Sequence, residues 1–355
     1  MKITTSAPGR ICLFGEHQDY LNLPVITMAI DRRVYVTGTI NDSGNIKIDL
    51  PDIKSKEEFK IGNGFLTYNK EREYFKSCFN VLMKNNLHPV CGIECSVCGN
   101  IPINSGTSSS SALNNAWIAF LLKAGDNFSK IKAHELGFLS YLAEVEEFKE
   151  AGGMMDQIAC AAGGAKFIEF GEIRPKISDL EIIPGTFVLG DSLQPKDTQK
   201  ILSETKIPAL RGLEKLKSAE PHLNFKNIKL KDIEINRKVL TEKERIILTG
   251  AVKNRDLTLE ALSEFQSPNP DWKKTGEMLT ALHEILSADL RISTEKIDRM
   301  VKSALKAGAI GGKINGSGGG GCMFAYAPDN PAKVKEAIEN EGGKAWIIRS
   351  DVGVL

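Results

Sequence analysis

Residues 104–111 read Asn-Ser-Gly-Thr-Ser-Ser-Ser-Ser and pass without a break into a largely apolar run from about Ala112 to Lys123. The preceding segment, GIECSVCGNIP, alternates as a β-strand does. The pattern predicts a strand, a Gly/Ser loop and a helix that starts at the last serines. A helix N terminus carries unpaired N–H groups and a partial positive charge, so it attracts anions. Serine hydroxyls there can donate to a phosphate or coordinate Mg²⁺. Capping a helix uses one serine, whereas Ser108, Ser109, Ser110 and Ser111 are consecutive. Both readings, an anion loop and a capped helix start, stand on this segment alone. It is not a Walker A loop, because no Lys follows the glycine at the required spacing.

A second tract, Gly316-Ser317-Gly318-Gly319-Gly320-Gly321, matches G-x-G-x-x-G by letters. A dinucleotide site requires a helix after the glycines. Here Cys-Met-Phe-Ala-Tyr-Ala-Pro follows, a strand stopped by proline. The tract therefore predicts a loop between strands, either a flexible hairpin or a backbone wall for a ligand.

Two acidic clusters stand out. Glu16, His17 and Asp19 follow an apolar strand that begins near Arg10. Polar groups at a strand end can converge on a hydroxylated ligand, or form a surface turn. Asp156 follows two glycines and two methionines, an apolar setting in which a lone carboxylate is costly unless paired or functional. On the helix before it, Glu144 and Glu147 share one face and Glu146 is displaced.

The 355 residues exceed what a single core usually fills, so two domains are expected. Lys and Arg total 46 against 45 Asp and Glu. This near balance lacks the basic excess of a nucleic-acid binder. No apolar run is long enough for a signal peptide or a bilayer span. The seven cysteines are odd in number and scattered, unlike a disulfide framework. A cytoplasmic protein with no membrane or nucleic-acid partner is expected. Cys91, Cys95 and Cys98 lie in the alternating strand with no second Cys/His pair at zinc spacing, and are expected to be buried strand cysteines.

The first 50 residues predict short strands at 10–14, 25–30 and 33–40. Helices are expected at 74–85, 112–123 and 131–149, and strands over 166–191. A charged helical connector or lid is expected near 197–217. Helical periodicity covers 242–286 and 294–306. The end predicts a strand to Ile314, a strand at 322–327, a helix at 331–341 and a strand at 344–349. The pattern is α+β with a domain change near 185–200.

The order of these motifs resembles the galactokinase, homoserine kinase, mevalonate kinase and phosphomevalonate kinase (GHMP) family, and is most similar to its galactokinase-like sugar kinase branch. GRICLFGEHQDY looks like that family's first motif, PINSGTSSSSA its phosphate loop, GGMMDQ its catalytic aspartate segment and INGSGGGGCMF its C-terminal glycine motif. LHEILSADLRISTEKID resembles a segment of the galactokinase branch. The resemblance spans residue 7 to about 327.

It implies an N-terminal domain of the ribosomal protein S5 domain 2-like type over 1–190 and a ferredoxin-like C-terminal domain over 191–355. It implies ATP and Mg²⁺ as cofactors, with Gly106, Thr107, Ser108, Ser109, Ser110 and Ser111 at the nucleotide. Ser110 and Glu144 would hold the metal, Glu147 being the alternative carboxylate. Asp156 would be the base, Arg10 its cationic partner, and Glu16, His17, Asp19 and Gly153 would contact the substrate. The activity implied is ATP-dependent phosphorylation of a monosaccharide at its anomeric hydroxyl. The rivals are a mevalonate kinase-like enzyme acting on a non-sugar alcohol and a catalytically silent sensor. The chain departs from the galactokinase pattern at Leu21 to Pro24, at Thr107 and Ser111, and around Pro208 to Leu213, where the branch carries a tyrosine.

Overall fold

The computed structural model describes residues 2–62, 64–87, 92–171, 174–181, 183–196 and 198–355. Cys91 and Asp197 lie outside the described residues. Two long strands organise the first half of the chain, β1 (Lys2–Phe14) and β2 (Val25–Ile40), paired antiparallel along nearly their whole length. The three short runs expected there are pieces of these two strands. β3 (Asn45–Leu50), β4 (Ser55–Lys60), β5 (Ile93–Gly99), β6 (Ala165–Glu169) and β7 (Lys176–Leu180) complete a seven-stranded sheet in the order β4-β3-β5-β2-β6-β7, with β1 paired to β2. All pairs are antiparallel except β3 with β5.

The helices α1 (Tyr74–Lys84), α2 (Ser109–Ala124), α3 (Ala133–Tyr141) and α4 (Met155–Ala162) accompany this sheet. α2 lies at the centre because it is apolar on all sides, and a helix of that kind must be buried. From Ala116 to Leu122 every one of its side chains is buried, with Trp117 stacked on Phe120. Of the cysteines expected inside β5, Cys95 is buried and Cys98 is exposed, since positions three apart on a strand face opposite ways. Among the described residues no His/Cys/Asp/Glu group forms a metal cage.

The second half contains β8 (Phe187–Asp191), α5 (Thr198–Ala219), α6 (Leu230–Ile235), α7 (Glu242–Phe265), α8 (Trp272–Glu284), α9 (Glu295–Lys306), β9 (Gly311–Ile314), β10 (Cys322–Tyr326), α10 (Pro331–Asn340) and β11 (Lys344–Ile348). Its four strands form an antiparallel sheet in the order β11-β8-β10-β9. Strands interleaved with helices in this order give the β-α-β-β-α-β connectivity of a ferredoxin-like sheet. The fold is α+β, as expected. The helical region 242–286 is two helices, because Pro268 and Pro270 interrupt it between Phe265 and Trp272.

The apolar core of the second half runs on into Ile11, Leu13 and Phe14 of β1 and Ile26, Met28 and Ile30 of β2. The end of β1 is therefore sandwiched between the two sheets' cores, and the polar residues at that end are carried to the junction. Beyond β11 the chain returns to the first sheet. The Arg33 guanidinium donates to Asp351 Oδ2 at 2.7 Å and to the carbonyls of Val352 and Gly353 at 3.0 and 2.7 Å. Among the described residues, no helix is long and apolar enough to cross a membrane.

Candidate active site

A cavity of about 560 Å³ opens where β1, the Gly/Ser loop, α4 and the loop at 316–321 meet. One part of its lining is apolar: Val34, Leu50, Ile53, Phe75, Val97 and Leu113. Another part carries charge: Arg10, Asp19, Glu144, Asp156 and Lys196. Gly106, Ser108, Ser109 and Ser110 also line it.

The Gly/Ser loop is shaped by alternating backbone handedness. Asn104, Gly106 and Ser108 have φ of 56°, 89° and 60°, with Ser105 and Thr107 between them on the ordinary side. Such alternation turns successive N–H groups to one side and forms an anion-binding concavity. Ser108 precedes α2 without capping it through its side chain, so its hydroxyl is not spent on the helix. The two glycine tracts touch here: a Cβ on Gly106 would lie 2.7 Å from the Asn315 carbonyl. Gly106 O accepts from Arg10 Nη1 at 2.7 Å and from Asn315 Nδ2 at 2.8 Å. Ser105 donates to Asp191 Oδ2 at 2.8 Å, and its carbonyl accepts from Cys322 N at 2.7 Å. Thr107 is fully buried and does not line the cavity, and neither does Ser111.

Asp156 sits in the first turn of α4, a helix the sequence reading did not resolve. Arg10 on β1 reaches its Oδ1 through Nε at 2.9 Å and Nη2 at 2.7 Å. The Arg10 side chain is 3% exposed and Asp156 32%. Burial alone would lower the Arg10 pKa, but the charges of Asp156 and Glu16 outweigh it and raise it. This is the pair expected from the sequence, brought together across 146 residues.

The expected continuous helix 131–149 is instead α3 followed by a π turn over Leu142–Glu146. The extra residue in the turn separates the glutamates, a feature often found at functional sites. Glu144 turns inward, accepting from Ser111 Oγ and Gln157 Nε2, both at 2.8 Å. Burial pushes its carboxyl above the usual range, against the pull of bonds from Ser110, Gln157 and Ser111. Glu147 is ion-paired with Lys84 and accepts from Tyr68 at 2.7 Å. Glu146 accepts from Tyr141.

The N-terminal cluster divides by environment. Glu16 is buried, its Oε2 paired with Lys313 at 2.5 Å and its Oε1 accepting from Gly316 N at 2.9 Å. His17 has its ring Nε2 3.0 Å from Ser317 O and its Nδ1 2.8 Å from Tyr20 Oη and 3.1 Å from Thr205 Oγ1. Donation from Nε2 to the carbonyl leaves Nδ1 to accept from the hydroxyls. Burial lowers its pKa, which keeps the ring neutral. Asp19 remains partly exposed at the cavity, where Met155 N donates to Oδ2 at 3.3 Å. Burial, and then the charge of Asp156, push its carboxyl up to about 6. A Cβ on Gly153 would come within 2.2 Å of Asp19 Oδ2, so any side chain there would displace that carboxylate.

Three residues were missed by sequence reasoning. Lys313 and Asn315, two apart on and just after β9, hold both backbone groups of Cys12: Lys313 Nζ donates to its carbonyl at 2.8 Å, and Asn315 Oδ1 accepts from its N–H at 2.9 Å. Cys12 lies beside an irregularity in the β1–β2 register. Polar residues at period two in GGKIN were the available signal. Lys196, in the link between β8 and α5, donates to Ser317 Oγ at 3.2 Å. It had no sequence signal.

A loop shaped to take an anion at a helix start, a paired Arg and Asp, and a buried carboxylate beside the serines are the groups that a small-molecule phosphotransferase uses. Residues 2–39 match the galactokinase galactose-binding signature, 73–164 the GHMP kinases N-terminal domain and 258–345 the GHMP kinases C-terminal domain. The chain is 31% identical to a mevalonate kinase of Pyrococcus horikoshii, over 98% of this chain and 95% of that protein. It is 28% identical to a galactokinase of Mycobacterium bovis, over 94% and 91%. A crystal structure of Lactococcus lactis galactokinase complexed with galactose superposes with a TM-score of 0.87 at 22% identity, covering 100% of this chain and 95% of that one, and shows the same fold. The chain belongs to the GHMP kinase family, whose members are ATP-dependent phosphotransferases.

Proposed function

We propose that this kinase phosphorylates a monosaccharide at its anomeric hydroxyl, with galactose the first candidate. The observation that carries this reading is the acceptor side of the cavity. There Asp19 stands beside Asp156, two carboxylates suited to the hydroxyl donors of a neutral polyol. The match of residues 2–39 to the galactose-binding signature supports it. Glu16 and His17 support the pocket rather than offering free groups, since Lys313, Gly316, Ser317, Tyr20 and Thr205 occupy them.

In this reading the base of ATP enters the apolar lining, and its phosphates lie along Gly106 and Ser108 to Ser110. The acceptor oxygen forms a bond to the γ-phosphorus as the bond to the β–γ bridging oxygen breaks. The electron pair leaves with ADP, and the hydroxyl proton passes to Asp156. Arg10 orients that carboxylate. Such transfer depends on positioning and charge neutralisation more than on covalent help.

The residues also fit Mg²⁺, which commonly takes one or two carboxylates together with substrate phosphates. Glu144 is a buried carboxylate with no cationic partner among the described residues, and Ser110 adjoins it. When bound, the ion would neutralise phosphate charge. Glu144, not Glu147, is the carboxylate we assign to it. We also place the division between the two domains in the link from β7 to β8, because residue 190 lies within β8, a strand of the second sheet.

A second reading, mevalonate kinase activity, is favoured by the Pyrococcus horikoshii relative. Mevalonate carries a carboxylate, which Asp19, with no ion pair among the described residues, would repel. ADP release measured across galactose, arabinose, N-acetylgalactosamine, a heptose and mevalonate separates the readings. Turnover of a pyranose is expected, and turnover of mevalonate alone overturns the proposal.

A further inference from the structure

Ser111 and Asn115 stand one turn apart on α2, so they share a face, and both are buried. Ser111 Oγ donates to Glu144 Oε2 at 2.8 Å, and Asn115 Nδ2 donates to the carbonyl of Gln157 at 2.9 Å. Gln157 lies one residue beyond Asp156 on α4 and returns its own Nε2 to the same Glu144 Oε2, also at 2.8 Å. The π turn, α2 and α4 are thereby joined around one carboxylate oxygen. Ser111 is one of the positions at which the chain departs from the galactokinase pattern. Neither it nor Gln157 takes part in the transfer described above.

An ionised carboxylate accepts about four hydrogen bonds, two at each oxygen. The two donors at 2.8 Å therefore fill Oε2. An amide turns its N–H and not its oxygen toward a carboxylate, so Gln157 is held in one orientation, and its Oε1 is left buried without a partner. A buried amide oxygen left unpaired is costly. The side chain is thus placed for what it gives Glu144 and not for its own satisfaction. Ser110 is the remaining hydroxyl beside this carboxylate, and it lines the cavity. The acceptor capacity that Glu144 keeps for a ligand is on its other oxygen, Oε1.

We infer that Ser111 and Gln157 are positioning residues that set the cation preference of this site: by filling Oε2 they limit Glu144 to one oxygen, which suits Mg²⁺ and disfavours Ca²⁺. This rests on the kinase reading above and on its assignment of Glu144 to the ion. Mg²⁺ is small, demands near-octahedral geometry and commonly takes one or two carboxylates beside substrate phosphates. Ca²⁺ takes more oxygens in a looser shell and readily uses both oxygens of one carboxylate. A glutamate whose second oxygen is already bonded twice, and whose rotamer is held from α2 and α4, cannot open to the larger ion without breaking those bonds. Partners that orient a ligand in this way are commonly worth as much to metal affinity as about one or two powers of ten.

The test measures binding and not turnover. Calorimetry with a non-hydrolysable ATP analogue is run with Mg²⁺, with Ca²⁺ and with a chelator, on the wild type, Ser111→Ala and Gln157→Leu, with thermal midpoints recorded. In the wild type, Mg²⁺ is expected to raise analogue affinity more than Ca²⁺ does. In each variant the Mg²⁺-supported affinity should fall about tenfold to a hundredfold, while the metal-free affinity changes less than about threefold. The Ca²⁺-supported affinity should fall less, so that the ratio between the two ions narrows by about tenfold. An unchanged ratio in both variants, or a metal-free affinity that falls as far as the Mg²⁺-supported one, overturns the positioning role. Wild-type protein that binds the analogue equally well with and without metal overturns the assignment of Glu144 to the ion, and wild-type protein that binds no analogue at all overturns the kinase reading.

Discussion

Arg10 holds Asp156 by one oxygen only: Nε at 2.9 Å and Nη2 at 2.7 Å both fall on Oδ1. Among the described residues Oδ2 has no hydrogen-bond partner, so it is the oxygen left to accept a proton. The third guanidinium contact, from Nη1 to Gly106 O at 2.7 Å, ties the same pair to the Gly/Ser loop. Carboxylate, cation and loop are thereby fixed as one unit.

Asp156→Asn should therefore lower kcat by about 10²–10⁴. Nucleotide affinity and thermal midpoint should stay near wild type. Steady-state kinetics with a melting curve decide this, and near wild-type turnover would remove Asp156 from the mechanism.

Glu144 and Glu147 should separate cleanly. Glu144→Gln removes a buried carboxylate beside Ser110 and should raise the Mg²⁺ concentration needed for half-maximal rate about tenfold or more. Glu147→Gln only loosens contacts to Lys84 and Tyr68. Magnesium titrations of both variants check the assignment, and the reverse order of effects contradicts it.

Asp19 should leave a pH signature. Its folded pKa of about 6 lies above the ordinary carboxylate value. The native state therefore holds the proton more tightly than the unfolded chain, and stability falls as pH rises from about 4 to 6. Asp19→Asn should accordingly raise the thermal midpoint at pH 7.5 more than at pH 4. Acceptor turnover that needs the ionised carboxylate should rise through pH 6 in the wild type. A midpoint shift equal at the two pH values would refute the account of this residue.

Gly153→Ala tests the wall behind Asp19. The added methyl meets the carboxylate at 2.2 Å, so Asp19 must move. The acceptor KM should rise about tenfold or more, with the KM for ATP little changed. An unchanged acceptor KM would place the acceptor elsewhere.

The buried Glu16–Lys313 pair should matter to stability. Removing one partner strands the other, so Lys313→Met should destabilise by about 3–5 kcal/mol. Glu16→Gln combined with Lys313→Met should recover part of that loss. Denaturant midpoints of the single and double variants measure it.

Much of this site was legible because its chemistry is carried by contiguous motifs. The serine run, the Arg10 strand and Asp156 are each local, and the family resemblance carried by their order supplied their expected roles. What escaped reading depends on contacts distant in the chain. Lys313 and Asn315 bond Cys12 from about 300 positions away, and nothing in GGKIN names that partner. The π turn at Leu142–Glu146 has the same composition as an α-helical turn, so periodicity misplaces Glu147 beside Glu144. Glu16 and His17 look free in the sequence because the residues that occupy them come from the glycine loop, β9 and α5. The helix at 155–162 was hidden by its short length and by the glycines before it.

The central claim is transfer from ATP to the anomeric oxygen of a monosaccharide. It is tested most directly by incubating the enzyme with Mg-ATP and galactose and recording ³¹P and ¹H NMR spectra of the product. The account predicts a sugar phosphate whose phosphorus couples to the anomeric proton. A phosphate on any other carbon would contradict the regiochemistry, and product from mevalonate but from no sugar in the panel would contradict the substrate class.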